Sequence, residues 1–155
     1  MVNNAPTALQ IVEAHNRIAP YIHQTPVFTS TFLNDLTGCS LFFKCENFQK
    51  IGAFKARGGL NAILSMSESD RQKGVATHSS GNHAQAIAYA AAMVGTPAYI
   101  VMPDNSPKVK IKAVEGYGAS ITFCKNTPED REAAVIEIVE RTGATFVHPF
   151  NNYEV

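Results

Sequence analysis

The second half of the chain alternates short apolar runs with helical segments, and this repeat leaves few folds open. Between Gly74 and the C-terminus, strands are predicted at 75–77, 98–102, 120–124 and 145–147, with a helix between each pair. Successive strands joined by helices at this spacing require parallel crossovers. The repeat therefore predicts an open parallel α/β sheet, whose sites lie beyond the carboxyl ends of the strands.

Start and stop signals delimit these helices. Ser106 and Thr127 each precede a proline, a combination that predicts a capped helix start. Gly95 and Gly143 follow two of the helical segments and are predicted to end them. The first 73 residues follow a different plan, with helices predicted at 7–18 and 54–66 and strands at 27–29 and 41–45.

Composition excludes several classes of partner. The 155 residues include 13 basic and 13 acidic side chains, and zero net charge argues against a nucleic-acid partner. The basic cluster Lys108, Lys110 and Lys112 alternates with apolar residues and is typical of a helix face. No apolar run approaches the roughly 20 residues of a membrane span. Three cysteines without C-x-x-C spacing favour a reduced, cytoplasmic compartment.

Lys55 is the first candidate for chemistry. It lies at the start of a predicted helix, directly after Phe54 and three residues after Gly52. A desolvated lysine amine, or one near positive charge, is nucleophilic and forms Schiff bases with carbonyls. Spacing alone favours the simpler interpretation, a solvated lysine at the start of a surface helix.

The second candidate is the segment 77–85, which joins a predicted strand to a predicted helix. Its hydroxyl and N–H groups gather at a helix N-terminus, a place that binds carboxylate or phosphate. Ser79 or Ser80 could equally be an ordinary helix cap, and the pattern leaves both interpretations open. His78 and His83 are five residues apart without a recognisable third ligand, so no metal site is predicted.

Together the two segments resemble the fold-type II family of pyridoxal-phosphate (PLP) enzymes, in particular its serine racemase and serine, threonine and hydroxyaspartate dehydratase branch. The resemblance runs from about residue 11 to residue 155. Matching blocks occur in the family's order at 24–27, 41–46, 48–50, 52–55, 79–85 and 97–101. The resemblance implies a tryptophan synthase β-like α/β fold with PLP as cofactor and a small amino acid as substrate.

The resemblance assigns roles to individual residues. Lys55 is the lysine that forms the Schiff base with PLP and moves the Cα proton on one face of the substrate. Phe54 packs beside the cofactor ring, and Asn82 hydrogen-bonds its 3′ oxygen. The residues that bind the substrate carboxylate are Ser79, Ser80, Asn82 and His83.

Ser80 bears on the reaction. A racemase needs a second acid/base on the opposite face, and the racemases of the family have serine here, whereas biosynthetic threonine dehydratases have alanine. The resemblance thus implies interconversion of L- and D-serine together with β-elimination of serine to pyruvate and ammonia. Ala53 favours a dehydratase, because racemases often have serine there. The Ser-Ser-Gly-Asn-His loop argues against cysteine synthases, which usually carry Thr-Ser-Gly-Asn-Thr.

A nucleotide site is also implied. Positions that match the ATP contacts of the family's animal members are Ser30, Thr31, Phe32, Lys50, Ile51, Gln85 and Tyr117. Phe32 and Ile51 differ in residue type from those members, so ATP, with Mg²⁺, is left open as a further ligand of the full-length protein.

The resemblance divides the chain into three parts. Residues 1–73 are expected to begin a large PLP domain, 74–151 to form a small parallel domain, and 152–155 to return toward the large domain. The glycine-rich loop for the PLP phosphate lies further along in the family. We therefore expect the N-terminal half of a longer, homodimeric enzyme, with the isolated half inactive.

Two alternatives stay open. The substrate could be threonine or 3-hydroxyaspartate, in which case the enzyme is an ammonia-lyase. From another class, the chain could be a non-catalytic binding or interaction module, which would show neither a PLP absorption band nor lyase activity.

Overall fold

The predicted parallel sheet is present in a computed structural model that describes residues 5–155. Four strands form it: β3 (Val75–His78), β4 (Ala98–Pro103), β5 (Ser120–Cys124) and β6 (Thr145–Phe146). They lie in the order β5-β4-β3-β6, and every neighbouring pair is parallel. The α/β fold class expected from the repeat is therefore confirmed.

Helices cover both faces of this sheet. The crossovers contain α5 (Asn82–Val94), α6 (Lys108–Gly116) and α7 (Pro128–Thr142). Ile100 and Met102 point toward α5 and α6, whereas Val101 points toward Val135 and Ile138 of α7. Both faces are buried because alternate residues of β4 are apolar on each side, as is typical of parallel sheets.

Most of the start and stop signals act as predicted. Thr127 caps α7 by accepting a hydrogen bond from the Asp130 N–H, and Gly143 ends that helix with φ +72°. The expectation for Ser106 is wrong: α6 begins at Lys108, Pro107 occupies the cap position and no side chain caps it. Ser106 is instead buried, because the turn after β4 draws its backbone N–H to the Pro103 carbonyl.

The first part of the chain contains α1 (Ala8–Ile18), β1 (Val27–Phe28), α2 (Thr31–Thr37), β2 (Phe43–Lys44), α3 (Lys55–Leu64) and α4 (Glu68–Lys73). β1 and β2 pair antiparallel. The sequence missed α2 and α4, which are seven and six residues long, too short for a clear apolar period. Only 43–44 of the strand predicted at 41–45 forms. Residues 1–4 of the predicted first segment lie outside the described residues.

α3 packs closely against α5. A Cβ on Gly59 would lie 3.0 Å from the Ala86 backbone, so only glycine allows this approach. The C-terminal segment returns to the same helix, where the Asn61 side-chain amide donates to the Glu154 carbonyl at 2.9 Å. The division at residues 73 and 151 remains a prediction. No helix among residues 5–155 has both the length and the apolarity to cross a membrane.

Candidate active site

Lys55 is the first residue of α3, and its amine is held by the far end of the sheet. Its Nζ donates a hydrogen bond to the Pro149 carbonyl at 2.8 Å and lies 5.7 Å from the centroid of the Phe54 ring. Pro149 follows β6, so one contact joins α3 to the carboxyl edge of the sheet. The exposed lysine that spacing alone favoured is thus replaced by a half-buried one with a fixed partner.

The loop before Lys55 is set by a buried glutamine. The Gln49 side chain accepts from the His23 and Lys50 backbone N–H groups and donates to the His23 carbonyl, all within 2.9 Å. Ile51 then adopts φ +60°, a left-handed conformation that costs a β-branched residue about 1–3 kcal/mol. Such strain persists only where the surroundings enforce it, so this turn is held by its neighbours.

An ion pair anchors the first turn of α3. Arg57 Nε and Nη2 donate to the two carboxylate oxygens of Glu46, each at 2.8 Å, and Thr25 Oγ1 donates to the same carboxylate at 2.6 Å. The Arg57 hydrogen bonds lower the pKa of Glu46 to about 2, against the opposing effect of burial. Glu46 is therefore ionised throughout the neutral range and fixes the helix that begins with Lys55.

The loop between β3 and α5 leaves a helix N-terminus open. Gly81 is the cap residue of α5, and no side chain caps it. Ser79 Oγ accepts from the Gly81 N–H at 3.2 Å, while Ser80 is exposed and has no side-chain hydrogen bond among residues 5–155. Ordinary capping is thus absent, and the first-turn N–H groups remain available to an anion.

His83 is buried in the first turn of α5. Its Nε2 lies 3.2 Å from the Val147 carbonyl, and its Nδ1 has no partner among the described residues. Burial lowers the pKa of His83 to about 4, and the charge of Lys55 contributes to the decrease. The imidazole is therefore neutral at pH 7 with the proton on Nε2, and the group that His83 offers to an anion is its backbone N–H.

Asn82 is oriented by a lysine that the sequence did not single out. Lys110 Nζ donates to Asn82 Oδ1 at 2.7 Å and to Gln85 Oε1 at 2.8 Å. With its oxygen engaged, the Asn82 amide directs its N–H₂ group toward other acceptors. Sequence spacing placed Lys110 on a helix face, and only the parallel crossover brings α6 beside α5.

An aromatic cluster lies beside the same loop, at the ends of β3 and β6. The His148 ring contacts His78, Phe146 and Phe150, with centroid separations of 5.7, 5.4 and 4.4 Å. Burial, followed by the charges of His148 and Arg131, lowers the pKa of His78. His148 carries no local sequence signal, because its neighbours come from a strand about 70 residues earlier.

The positions predicted for ATP are spread over several elements. Ser30 caps α2, which begins with Thr31 and the exposed Phe32, while Lys50 and Ile51 lie in the 3₁₀ turn Lys50–Gly52. Gln85 is buried in α5, and the Tyr117 ring lies 5.6 Å from the Tyr89 ring. Nucleotide binding remains a prediction. Among residues 5–155, no three His, Cys, Asp or Glu side chains gather as metal ligands.

Comparison with known proteins agrees with this site. The family model "Pyridoxal-phosphate dependent enzyme" matches residues 18–155, and the chain belongs to that family. Serine racemase of Dictyostelium discoideum is 49% identical over 96% of this chain and 46% of its own length. The beta-hydroxyaspartate dehydratase of Paracoccus denitrificans is 48% identical over 97% of this chain and 48% of its own length.

A solved structure gives the same result. Maize serine racemase superposes with a TM-score of 0.94 and 47% identity, covering 97% of this chain and 46% of that protein. The chain thus spans about half the length of the curated relatives it matches. The cofactor that names the family is PLP, and the described residues fit part of it: a lysine amine, an adjacent aromatic ring and an asparagine amide with free N–H donors.

Proposed function

We propose that the full-length protein is a PLP-dependent serine racemase that also eliminates serine to pyruvate and ammonia. The observation that carries this is the placement of the Lys55 amine at the carboxyl edge of the sheet, where α5 begins without a cap. The 48–49% identity to a serine racemase and a hydroxyaspartate dehydratase supports the reaction class.

Each residue of the site has a defined part. Bound PLP supplies the electron sink for the bond broken at Cα. Lys55 takes and returns the Cα proton on one face of the substrate, and the Ser80 hydroxyl does so on the other. The open first-turn N–H groups of α5, with the Ser79 hydroxyl, bind the substrate carboxylate, because a helix N-terminus favours negative charge. Asn82 donates to the cofactor's 3′ oxygen, and Phe54 packs beside its ring.

Two reactions share this machinery. In racemisation the proton removed on the Lys55 side is replaced on the Ser80 side. In elimination the same loss of the Cα proton is followed by departure of the substrate hydroxyl, and serine becomes pyruvate and ammonia. Ala53 and the dehydratase relative support a second candidate, an ammonia-lyase for threonine or 3-hydroxyaspartate.

The test uses the full-length protein. Borohydride reduction followed by peptide mapping should place PLP on Lys55, and label on another lysine refutes the assignment. Ser80→Ala should abolish racemisation while pyruvate release continues, with Ser79→Ala as the matched control that weakens both reactions together. If Ser80→Ala racemises normally, the role of Ser80 is wrong. Faster release of oxaloacetate from 3-hydroxyaspartate than of pyruvate from serine would favour the second candidate.

Compartment and assembly complete the proposal. The three thiols, Cys39, Cys45 and Cys124, are free, which supports a reduced, cytoplasmic location. The homodimer is proposed from the family resemblance, and sedimentation of the full-length protein tests it.

A further inference from the structure

The turn that holds the Lys55 amine is itself tied by a histidine. His148 Nδ1 accepts hydrogen bonds from the Phe150 N–H at 3.3 Å and the Asn151 N–H at 2.9 Å. Pro149, inside this turn, supplies the carbonyl that accepts from Lys55 Nζ. The position of the amine therefore depends on the turn, and the turn depends on one imidazole nitrogen.

Only one form of the ring can make these contacts. A nitrogen that accepts two N–H groups carries no proton, so His148 must be neutral with its hydrogen on Nε2. The ring is also held from its sides by His78, Phe146 and Phe150. His78 directly precedes Ser79, so the same ring lies beside the loop before α5.

We infer that His148 is a positioning residue for Lys55. As a neutral acceptor it closes the turn 149–151 and so places the Pro149 carbonyl against the lysine amine. Protonation or loss of Nδ1 opens the turn and frees the amine. This role gives the active lysine a defined location and rests on the proposed function only for its catalytic meaning, because the contacts exist in the chain itself.

Other ionisable groups surround His148. His78 of β3 faces it directly, and His83 of α5 lies within reach of its charge. Lys55 of α3 lies across the turn, and Arg131 and Glu132 of α7 act on His78. Burial keeps His83 neutral, with a pKa of about 4. The acid-dependent change is therefore assigned to His148 by replacing that residue.

Two substitutions separate the acceptor from the ring. His148→Phe keeps an aromatic ring and removes the acceptor. His148→Asn removes the ring and restores an acceptor, because an asparagine oxygen accepts from backbone N–H groups two or three residues ahead. Asparagine does not titrate, so the turn in this variant should be independent of pH.

The experiment uses the 155-residue chain and two readouts. Hydrogen exchange reports protection of the Phe150 and Asn151 amides, and acylation with a small reagent, followed by mass mapping, reports the exposure of the Lys55 amine. Lys44 is an internal control, because its Nζ donates to the Thr25 carbonyl at 2.7 Å, away from the turn. Amide protection in β3 monitors folding.

His148→Phe should lose protection of both amides and raise Lys55 acylation about five-fold, with Lys44 unchanged. His148→Asn should restore both readouts. In the unsubstituted chain, protection of the two amides should decrease between pH 8 and pH 5, and His148→Asn should abolish this decrease.

Unchanged protection and labelling in His148→Phe would overturn the inference, as would failure of His148→Asn to restore them. If His148→Phe unfolds, the pH comparison between the unsubstituted chain and His148→Asn decides instead. A positive result here combined with PLP mapped to another lysine would refute the proposed function and leave the positioning intact.

Discussion

Replacing Glu46 by glutamine tests how α3 is anchored. Glu46 precedes the loop to Lys55 and receives both Arg57 hydrogen bonds and that of Thr25. Glutamine keeps the shape and one acceptor oxygen, so the Thr25 contact survives. The charge and the two-point contact with Arg57 are lost.

The magnitude follows from the pKa. That of Glu46 falls from 4.5 to about 2 on folding, chiefly through the Arg57 hydrogen bonds. Each pKa unit corresponds to about 1.4 kcal/mol, which sets an upper bound of about 3 kcal/mol. The Arg57 and Glu46 side chains are 28% and 19% exposed, and solvent screening reduces the expected loss to about 2 kcal/mol at pH 7. Because the folded pKa is depressed, this stability is present above pH 4.5 and is lost as the pH falls toward 2.

Urea denaturation of the chain and of Glu46→Gln at a series of pH values measures this difference. Their free energies of unfolding should differ by about 2 kcal/mol at pH 7 and converge near pH 2. Glu137→Gln is the control, because Glu137 is exposed and has no ion pair among the described residues. A gap that is the same at pH 7 and near pH 2 would refute the role of the ionised carboxylate.

Two further substitutions test the scaffold of the site. Thr77→Val should lower the free energy of unfolding by about 1 kcal/mol in urea, because the buried Thr77 hydroxyl donates to the Val147 carbonyl at 2.7 Å; no change would mean that this contact does not hold β3 to the segment after β6. Gly74→Ala should cost about 2–4 kcal/mol, since Gly74 has φ +99° and a Cβ there would lie 2.7 Å from the Pro97 carbonyl oxygen. Gly116→Ala, with nothing within 4 Å of its Cβ, is the matched control and should change stability by less than about 1 kcal/mol; equal losses at the two glycines would contradict the steric explanation.

The sheet could be predicted from the sequence because each of its parts has a local cause. Apolar runs, the cap at Thr127 and the stop at Gly143 are separated by few residues and act within one element. Lys55 and the 79–83 loop could be recognised only because several blocks occur together, since neither is distinctive alone.

The missing part of the site depends on contacts between distant residues. Lys110 reaches Asn82 across a crossover, and His148 meets His78 only after β6 pairs with β3. No spacing rule connects residues about 70 positions apart. The neutral state of His83 likewise depends on burial, which a pattern of letters does not contain.

The strand order has a consequence for how this chain can change. After β5 the chain reverses its direction across the sheet, and β6 takes the place beside β3. The segments that leave these two strands therefore start side by side at a topological switch point, where open α/β sheets form their crevices. The location of the site is inherited from connectivity, while its chemistry depends on a few replaceable side chains. A substitution at residue 80 can then redirect the reaction without relocating it, which is how one scaffold accommodates both racemases and lyases.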